Sequence, residues 1–141
     1  MRAVVDTNIL IDVLNSVRAA IEEIDRYETV GISVVTWIET LVGCRSEEEI
    51  ETARDVMSQL DVLGVPEAIA MRAVQVRQVR RLKLPDAIVL ATAMEWGCQL
   101  VTRNTKDFPA GDPDIRVPYT LERETLERET LERETLERET L

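Results

Sequence analysis

Short apolar runs rich in β-branched residues alternate along the chain with longer segments that begin and end with residues typical of helix termini. The runs predict buried strands at 3–5, 30–35, 62–65 and 99–102, with 115–117 as a candidate fifth. The intervening segments predict helices at 9–14, 17–27, 36–44, 46–60, 66–81 and 87–96. Strands that alternate with helices predict an α/β fold in which helices cover both faces of a mainly parallel sheet.

Several predicted helix boundaries are marked by the residues at them. Thr36 is predicted to open the third helix, and Ser46 is followed by three glutamates, which favour the N-terminal turn of a helix. Pro66 is predicted to begin the fifth helix, and Gly97 is predicted to terminate the sixth. These boundaries place the ends of the predicted strands next to the starts of the helices.

The end of the chain has a different composition from the rest. From Thr120 the unit Thr-Leu-Glu-Arg-Glu recurs every five residues as far as Glu139. A five-residue step rotates each leucine by about 140° around a helix and sends successive leucines to opposite faces of a strand. We therefore predict a globular domain over 1–118 and a solvated tail over 119–141, either disordered or an isolated helix. A helix that binds a partner is the alternative.

The charge and the missing histidines restrict the possible chemistry. The formal net charge is −10, of which the repeats contribute −4, so the body is acidic as well. An acidic body is a poor overall match for a nucleic acid, so a nucleic-acid site must depend on local basic residues or on metal cations. The absence of histidine excludes imidazole catalysis, histidine-bound zinc and Ser-His-Asp triads.

The cysteines and the N-terminus predict the cellular location of the protein. Cys44 and Cys98 have no metal-like spacing, so we expect two thiols in a reducing cytosol, with a single disulfide as the alternative. Asp6 and Asp12 interrupt the apolar N-terminal stretch, which argues against a signal peptide. No apolar stretch is long enough to span a bilayer. We expect a soluble cytoplasmic protein that makes no membrane contact.

Acidic residues follow the predicted strands. Asp6 comes directly after the first strand, Glu39 lies in the helix after the second, and Asp107 follows the fourth, while Asp86 opens the sixth helix. Sites in parallel α/β sheets form outside the C-terminal ends of the strands, so we expect these carboxylates to converge. Crowded carboxylates need a cation, and oxygen ligands without His or thiolate suit Mg²⁺ or Mn²⁺. Such ions activate water and stabilise charge on a phosphodiester.

Each acidic residue also has a simpler explanation. Asp6 can cap the first helix, and Glu39 can bond back to the Thr36 amide in a capping box. Asp86 can complement the dipole of its helix, and Asp107 is a polar residue in a loop. The predicted site therefore depends on at least three of these carboxylates converging at one edge of the sheet.

A basic segment precedes Asp86. No acidic residue occurs between Glu67 and Asp86. The basic residues of this strip are Arg72, Arg77, Arg80, Arg81 and Lys83, with Arg103 and Lys106 as an extension. The strip predicts contacts with an RNA phosphate backbone, and an ordinary solvated helix face is the alternative.

Four segments, 4–10, 36–39, 84–93 and 100–108, resemble in order and spacing the motifs of the PIN-domain family. The resemblance covers about residues 1 to 118, and the short length is similar to the VapC-type toxins of bacterial and archaeal toxin–antitoxin pairs. It implies a three-layer α/β/α fold and a Mg²⁺- or Mn²⁺-dependent endoribonuclease. It also implies a homodimer and a VapB-like antitoxin that blocks the acidic site, with DNA contacted only through the antitoxin.

The resemblance also implies roles for individual residues. Asp6, Glu39 and Asp86 form the acidic triad, which holds the metal and carries the catalysis. Asn104 occupies a fourth position that is Asp in many relatives, and Asp107 lies close to it in sequence. The residues that orient carboxylates or waters are Thr7, Asn8 and Thr102.

Two alternative functions remain at this stage. The first is a phosphatase or phosphotransferase in which Asp6 is the nucleophile and forms an aspartyl phosphate. Haloacid-dehalogenase-like phosphatases usually place a second Asp two residues later, where this sequence has Asn8. The second is a catalytically silent PIN-like binding module, in which acidic residues of the triad are typically missing.

Overall fold

The computed structural model of the protein describes residues 1–121, and five strands form one sheet in this part. The strands are β1 (Arg2–Val5), β2 (Thr29–Ser33), β3 (Asp61–Leu63), β4 (Leu100–Val101) and β5 (Ile115–Arg116). The helices are α1 (Thr7–Leu14), α2 (Arg18–Asp25), α3 (Val34–Val42), α4 (Glu47–Met57), α5 (Glu67–Arg80) and α6 (Leu84–Glu95). All strand pairs are parallel, in the order β3-β2-β1-β4-β5. The predicted three-layer α/β/α fold is confirmed.

Strand β1 lies at the centre of the sheet and is buried on both faces. Val4 packs into the core cluster that contains Leu90 of α6, while Val5 packs into the cluster that contains Leu10 of α1. Successive side chains of a strand point to opposite faces, so the uninterrupted apolar run 3–5 supplies both cores. The central position of β1 brings its C-terminal end, and the residue that follows it, between the ends of β2 and β4.

The boundary between β2 and α3 differs from the prediction. The strand ends at Ser33 and the helix begins at Val34, whereas we expected a strand through Val35 and a helix from Thr36. The Ser33 hydroxyl accepts a hydrogen bond from the Val35 N–H at 3.1 Å and caps the helix. The preference of two valines for strands is thus overridden by a good cap and by packing.

Helices α5 and α6 begin and end close to the predicted positions. Pro66 is the N-cap of α5, and the helix ends at Arg81, whose backbone adopts the left-handed conformation with φ 56°. Helix α6 begins at Leu84, three residues before the predicted start, so Asp86 lies in its first turn. Gly97 follows this helix with φ 71°, a conformation that glycine adopts without strain.

None of the helices in residues 1–121 is long and apolar enough to cross a membrane. Cys44 and Cys98 are not joined by a disulfide. The predicted structure of the repetitive tail falls almost entirely on 122–141, which lie outside the described residues.

Candidate active site

Asp6 connects the end of β1 to the start of α1. Its side chain is buried, and Oδ1 accepts a hydrogen bond from the Thr7 N–H at 2.8 Å, which caps the helix. Oδ2 accepts from the Thr102 hydroxyl at 2.8 Å and from the Asn8 side-chain amide at 3.2 Å. The capping role and the position at the sheet edge are therefore both present in one residue.

Thr102, directly after β4, organises the polar groups around Asp6. Its hydroxyl donates to Asp6 and accepts from Asn8 Nδ2 at 3.1 Å and from the Asn104 N–H at 3.0 Å. One hydroxyl can donate once and accept twice, so all of its capacity is used. Asn8 is held from its other side, because its Oδ1 accepts from the Arg103 N–H at 3.0 Å. These contacts leave Asp6 and Asn8 with defined orientations.

Glu39 reaches the same edge from helix α3. It lies in the second turn of this helix and is exposed, and its Oε1 accepts from the Thr7 hydroxyl at 2.8 Å. The alternative of a capping box between Thr36 and Glu39 does not apply, because Ser33 is the N-cap of this helix and Thr36 lies inside it. Glu39 is instead directed toward the start of α1 by Thr7, next to Asp6.

The pKa values of two carboxyl groups reveal crowded negative charge. Burial, the largest cause, and the charges of Asp6, Asp107 and Glu39 together raise the pKa of Asp86 to about 6, against a lowering effect of Lys83. Burial also raises the pKa of Asp6, opposed by the hydrogen bonds from Thr102 and Thr7 and assisted by Glu39. The predicted carboxylates are therefore close enough in space to act on one another electrostatically.

Asn104 and Asp107 form a pair in the loop after β4. Asn104 Nδ2 donates to Asp107 Oδ2 at 2.9 Å, and the Asp107 N–H donates to Asn104 Oδ1 at 3.2 Å. The Asp107 carboxylate contributes to the raised pKa of Asp86, so it supplies negative charge that the neutral Asn104 does not. The two candidates for the fourth position are therefore adjacent and hydrogen-bonded to each other.

The oxygen atoms at this edge suit a hard divalent cation. Among residues 1–121, no three His, Cys, Asp or Glu side chains form a ready-made metal site. Mg²⁺ usually keeps several waters and binds through one or two protein carboxylates, so it does not require three converged ligands. Burial and, after it, the neighbouring negative charges raise the pKa of Asp86, and a bound cation would offset those charges. The donor set therefore fits Mg²⁺ or Mn²⁺.

The structure divides the basic strip into paired and exposed residues. Arg72 pairs with Glu95, Arg80 with Asp112 and Asp114, and Arg103 with Asp12. The exposed residues of the strip are Arg77, Arg81 and Lys83, together with Lys106. Lys83 lowers the pKa of Asp86, so this exposed member of the strip lies near the acidic edge.

Two buried acidic residues were not singled out in the sequence. Asp12 is 4% exposed and pairs with Arg103, and Tyr119 donates its hydroxyl hydrogen to Asp12 Oδ2 at 2.7 Å. Glu23 is also 4% exposed and pairs with Arg116. The sequence did contain one sign of a buried acid: Asp12 is flanked by Ile11 and Val13 within a largely apolar helix. Its partners lie too far away along the chain to be identified from that signal.

Comparisons with known proteins agree with the observed fold. The PIN domain family model matches residues 3–111. A chain from a toxin–antitoxin complex of Klebsiella pneumoniae is 41% identical, with a TM-score of 0.78 over 84% of this chain and 99% of that chain. A chain from DNA-bound VapBC of Salmonella typhimurium is 23% identical, with a TM-score of 0.71 over 82% and 96% of the two chains, and shares the fold. A comparison with curated proteins found no match.

The family match includes every acidic residue of the candidate site. Asp6, Glu39 and Asp86 lie within 3–111, as do Asn104 and Asp107. The matched segment also begins in β1 and contains the ends of β2 and β4, which carry the polar groups described above. The chain belongs to the PIN-domain family.

Proposed function

We propose that this chain is a metal-dependent endoribonuclease and the toxin of a VapBC-type toxin–antitoxin pair. The observation that carries the proposal is geometric: Asp6 follows the central strand and is oriented by Thr102 and Asn8, and Glu39 is joined to the next residue, Thr7. Carboxylates that repel one another at a strand edge are a common arrangement for holding a divalent cation. The substrate class is RNA, cleaved at phosphodiester bonds in single-stranded or loop regions.

The residues divide into metal-holding and orienting groups. Asp6 and Asp86 hold Mg²⁺ or Mn²⁺, and Glu39 either holds a second ion or positions the attacking water. Bound there, the ion supplies activation of water and stabilisation of charge on the phosphodiester. Asn104 and Asp107 complete the negative field as a hydrogen-bonded pair.

The remaining polar residues fix the geometry of the site and its substrate. Thr7 orients Glu39, while Asn8 and Thr102 orient the Asp6 carboxylate through hydrogen bonds of 2.8 to 3.2 Å. A site held in this way loses little orientational entropy when the substrate binds. Exposed basic residues of the strip, among them Lys83 beside Asp86, contact the RNA backbone and offset the acidic body.

The proposed partners follow from the similarity to toxin–antitoxin complexes. The 41% identical Klebsiella chain comes from a complex of this kind. We infer that this chain is cytoplasmic, forms a homodimer and is inhibited by a VapB-like antitoxin that covers the acidic edge. DNA contacts would be made by the antitoxin.

The aspartyl-phosphate alternative is less well supported. The Asp6 side chain is only 6% exposed, and both of its oxygens accept hydrogen bonds. A phosphoryl group would need a wider approach to these oxygens than a small cation does. Asn8 also donates to Asp6, so it has a supporting role at the position where such phosphatases carry an acid.

The test is RNA cleavage by the purified chain in Mg²⁺ and in Mn²⁺, compared with chelator. Asp6→Asn and Asp86→Asn are expected to reduce the cleavage rate at least about 100-fold while leaving the circular dichroism spectrum unchanged. Glu51→Gln, an exposed acid on α4, is the matched control and should cleave like the parent. Cleavage at the parental rate by either Asp variant would contradict the proposal.

A further inference from the structure

A buried ion pair lies one helical turn beyond the residues that touch Asp6. Arg103 Nε and Nη2 donate to Asp12 Oδ2 at 2.6 Å and to Oδ1 at 3.1 Å. The Tyr119 hydroxyl donates to the same Asp12 Oδ2 at 2.7 Å. We call Asp12, Arg103 and Tyr119 the Asp12 cluster. The Arg103 side chain is only 13% exposed, and the Asp12 side chain only 5%.

The Asp12 cluster is linked to the candidate site by one residue. The Arg103 N–H donates to Asn8 Oδ1, and Asn8 Nδ2 donates to Asp6 Oδ2 and to Thr102 Oγ1. Asn8 and Asp12 are also four residues apart in α1, so they lie on the same side of the helix. Arg103 therefore holds α1 at two places, through its main chain at Asn8 and through its guanidinium at Asp12.

We propose that the Asp12 cluster is a positioning device that fixes Asn8 and, through it, orients the Asp6 carboxylate for binding a divalent cation. The cation itself rests on the function proposed above, whereas the link to Asn8 does not. In this role Arg103 acts through Asn8 and Asp12, not as a contact to the RNA backbone. Groups that orient metal ligands in this way commonly change metal affinity 10- to 100-fold when they are removed.

A second cluster in the same molecule provides a matched control. Glu23, 4% exposed, accepts from Arg116 Nε at 2.7 Å and Nη2 at 2.9 Å, and from the Tyr27 hydroxyl at 2.7 Å. The two clusters share a buried carboxylate, a two-pronged arginine and a tyrosine hydroxyl. Arg26 also donates to Glu23, and no side chain of this second cluster is hydrogen-bonded to Asn8 or Asp6 within residues 1–121. Effects on protein stability alone should therefore be similar for both clusters.

The first measurement needs neither metal nor activity. The side-chain amide signals of Asn8 are followed by ¹⁵N NMR in the full chain with chelator present. Tyr119→Phe and Asp12→Asn are expected to shift or broaden these signals, while Tyr27→Phe and Glu23→Gln leave them unchanged. Unchanged Asn8 signals in both Asp12-cluster variants would overturn the proposal, whether or not the protein is a nuclease.

The second measurement is the dissociation constant of Mn²⁺, determined by calorimetry on the same variants. Tyr119→Phe is expected to weaken Mn²⁺ binding about fivefold and Asp12→Asn tenfold or more, with the two control variants at the parental value. RNA cleavage should lose kcat and retain KM, because the RNA-binding surface is unaltered. If variants of both clusters lose Mn²⁺ affinity equally, the loss results from general destabilisation of the protein, and the proposal is overturned.

The two proposals fail in different ways. A parent chain that binds no Mn²⁺ and cleaves no RNA contradicts the nuclease function, while the Asn8 signals still decide whether the Asp12 cluster positions this residue. Tyr119→Phe removes one oxygen atom and keeps the ring, so we expect it to fold. It therefore keeps the test possible even if the Asp12→Asn chain does not fold. Wild-type Mn²⁺ affinity in a folded Tyr119→Phe chain, with shifted Asn8 signals, would contradict the role in cation binding alone.

Discussion

The Thr102 hydroxyl donates a hydrogen bond of 2.8 Å to Oδ2 of Asp6 and joins two strand ends that are 96 positions apart in the sequence. Both residues are buried, and Thr102 is fully inaccessible to solvent. Because β1 and β4 are adjacent and parallel, their C-terminal ends meet at one edge of the sheet. The contact therefore couples the central strand pair to the orientation of the carboxylate at the candidate site.

Thr102→Val removes this donor and keeps the shape of the side chain. We expect a loss of about 1 to 3 kcal/mol in the free energy of unfolding, because a buried carboxylate and the Asn8 amide lose a partner. We also expect weaker Mn²⁺ binding, since Asp6 loses one of the contacts that orient it. Urea denaturation and calorimetry measure the two effects.

Thr92→Val is the matched control for Thr102→Val. Thr92 is equally buried, but its hydroxyl donates only to the Ile88 carbonyl within α6. This variant should leave Mn²⁺ affinity unchanged. If both valine variants weaken Mn²⁺ binding to the same extent, the Thr102 hydroxyl has no specific role at the site.

The raised pKa of Asp86 predicts a pH dependence of stability in the metal-free protein. The folded-state pKa of about 6 lies above the usual 3.8, so the native state binds more protons than the unfolded state between these values. The stabilising contribution is therefore complete below about pH 4 and is lost as the pH rises through 6. The full shift corresponds to about 3 kcal/mol, and solvent screening of this partly buried group reduces the expected effect to about 1 kcal/mol.

Asp86→Asn should remove this pH dependence. With chelator present, the variant should be more stable than the parent at pH 7.5 and equally stable near pH 4, as measured by thermal unfolding. Asp112→Asn provides a comparison of opposite sign, because hydrogen bonds from the Asp114 N–H and from Arg80 lower the pKa of Asp112 despite its partial burial. If the difference in stability between the Asp86→Asn variant and the parent is the same at pH 4 and at pH 7.5, the crowding of charge at the site is contradicted.

The acidic edge could be predicted from the sequence because its position depends on strand ends. The apolar run 3–5 was predicted to be a buried strand, and Asp6 follows it directly. Parallel strands place the residues after them at one edge whatever their exact order, so the carboxylates that follow the strands were expected to converge. The pattern of strands and helices was sufficient for this part of the site.

Contacts that depend on tertiary packing could not be predicted. Tyr119 and Asp12 are 107 positions apart, and neither has a neighbour in sequence that indicates the other. Local preference also failed at Val34 and Val35, where β-branched residues favour a strand but form the first turn of a helix. In each case the deciding contact joins elements that only the complete fold brings together.

Gly31 in β2 is predicted to be intolerant of a side chain. A Cβ atom at this position would come within 2.7 Å of a ring carbon of Trp96 and 3.1 Å of a Leu63 methyl group. The ring cannot move freely, because it packs against a core cluster and supports the Arg2 guanidinium 4.8 Å from its centroid. Gly31→Ala should lower the free energy of unfolding by about 1 to 3 kcal/mol in urea denaturation.

Gly64→Ala is the control for this steric prediction. No atom lies within 4 Å of a Cβ at Gly64, so the variant should stay within about 0.5 kcal/mol of the parent. A Gly31→Ala protein as stable as the Gly64→Ala protein would show that Trp96 can move away at little cost.

Thr36→Val is expected to stabilise the protein. The Thr36 side chain is fully buried, and within the described residues its hydroxyl is the buried side-chain group without a hydrogen-bond partner. Burying an unpaired hydroxyl costs free energy that an isosteric methyl group does not, so we expect a gain of about 1 kcal/mol or more in urea denaturation. Thr40→Val, one turn later, should have the opposite effect, because its hydroxyl donates to the Thr36 carbonyl at 2.7 Å. Destabilisation of similar size in both variants would mean that the Thr36 hydroxyl has a partner in solution, such as a buried water beneath Glu39.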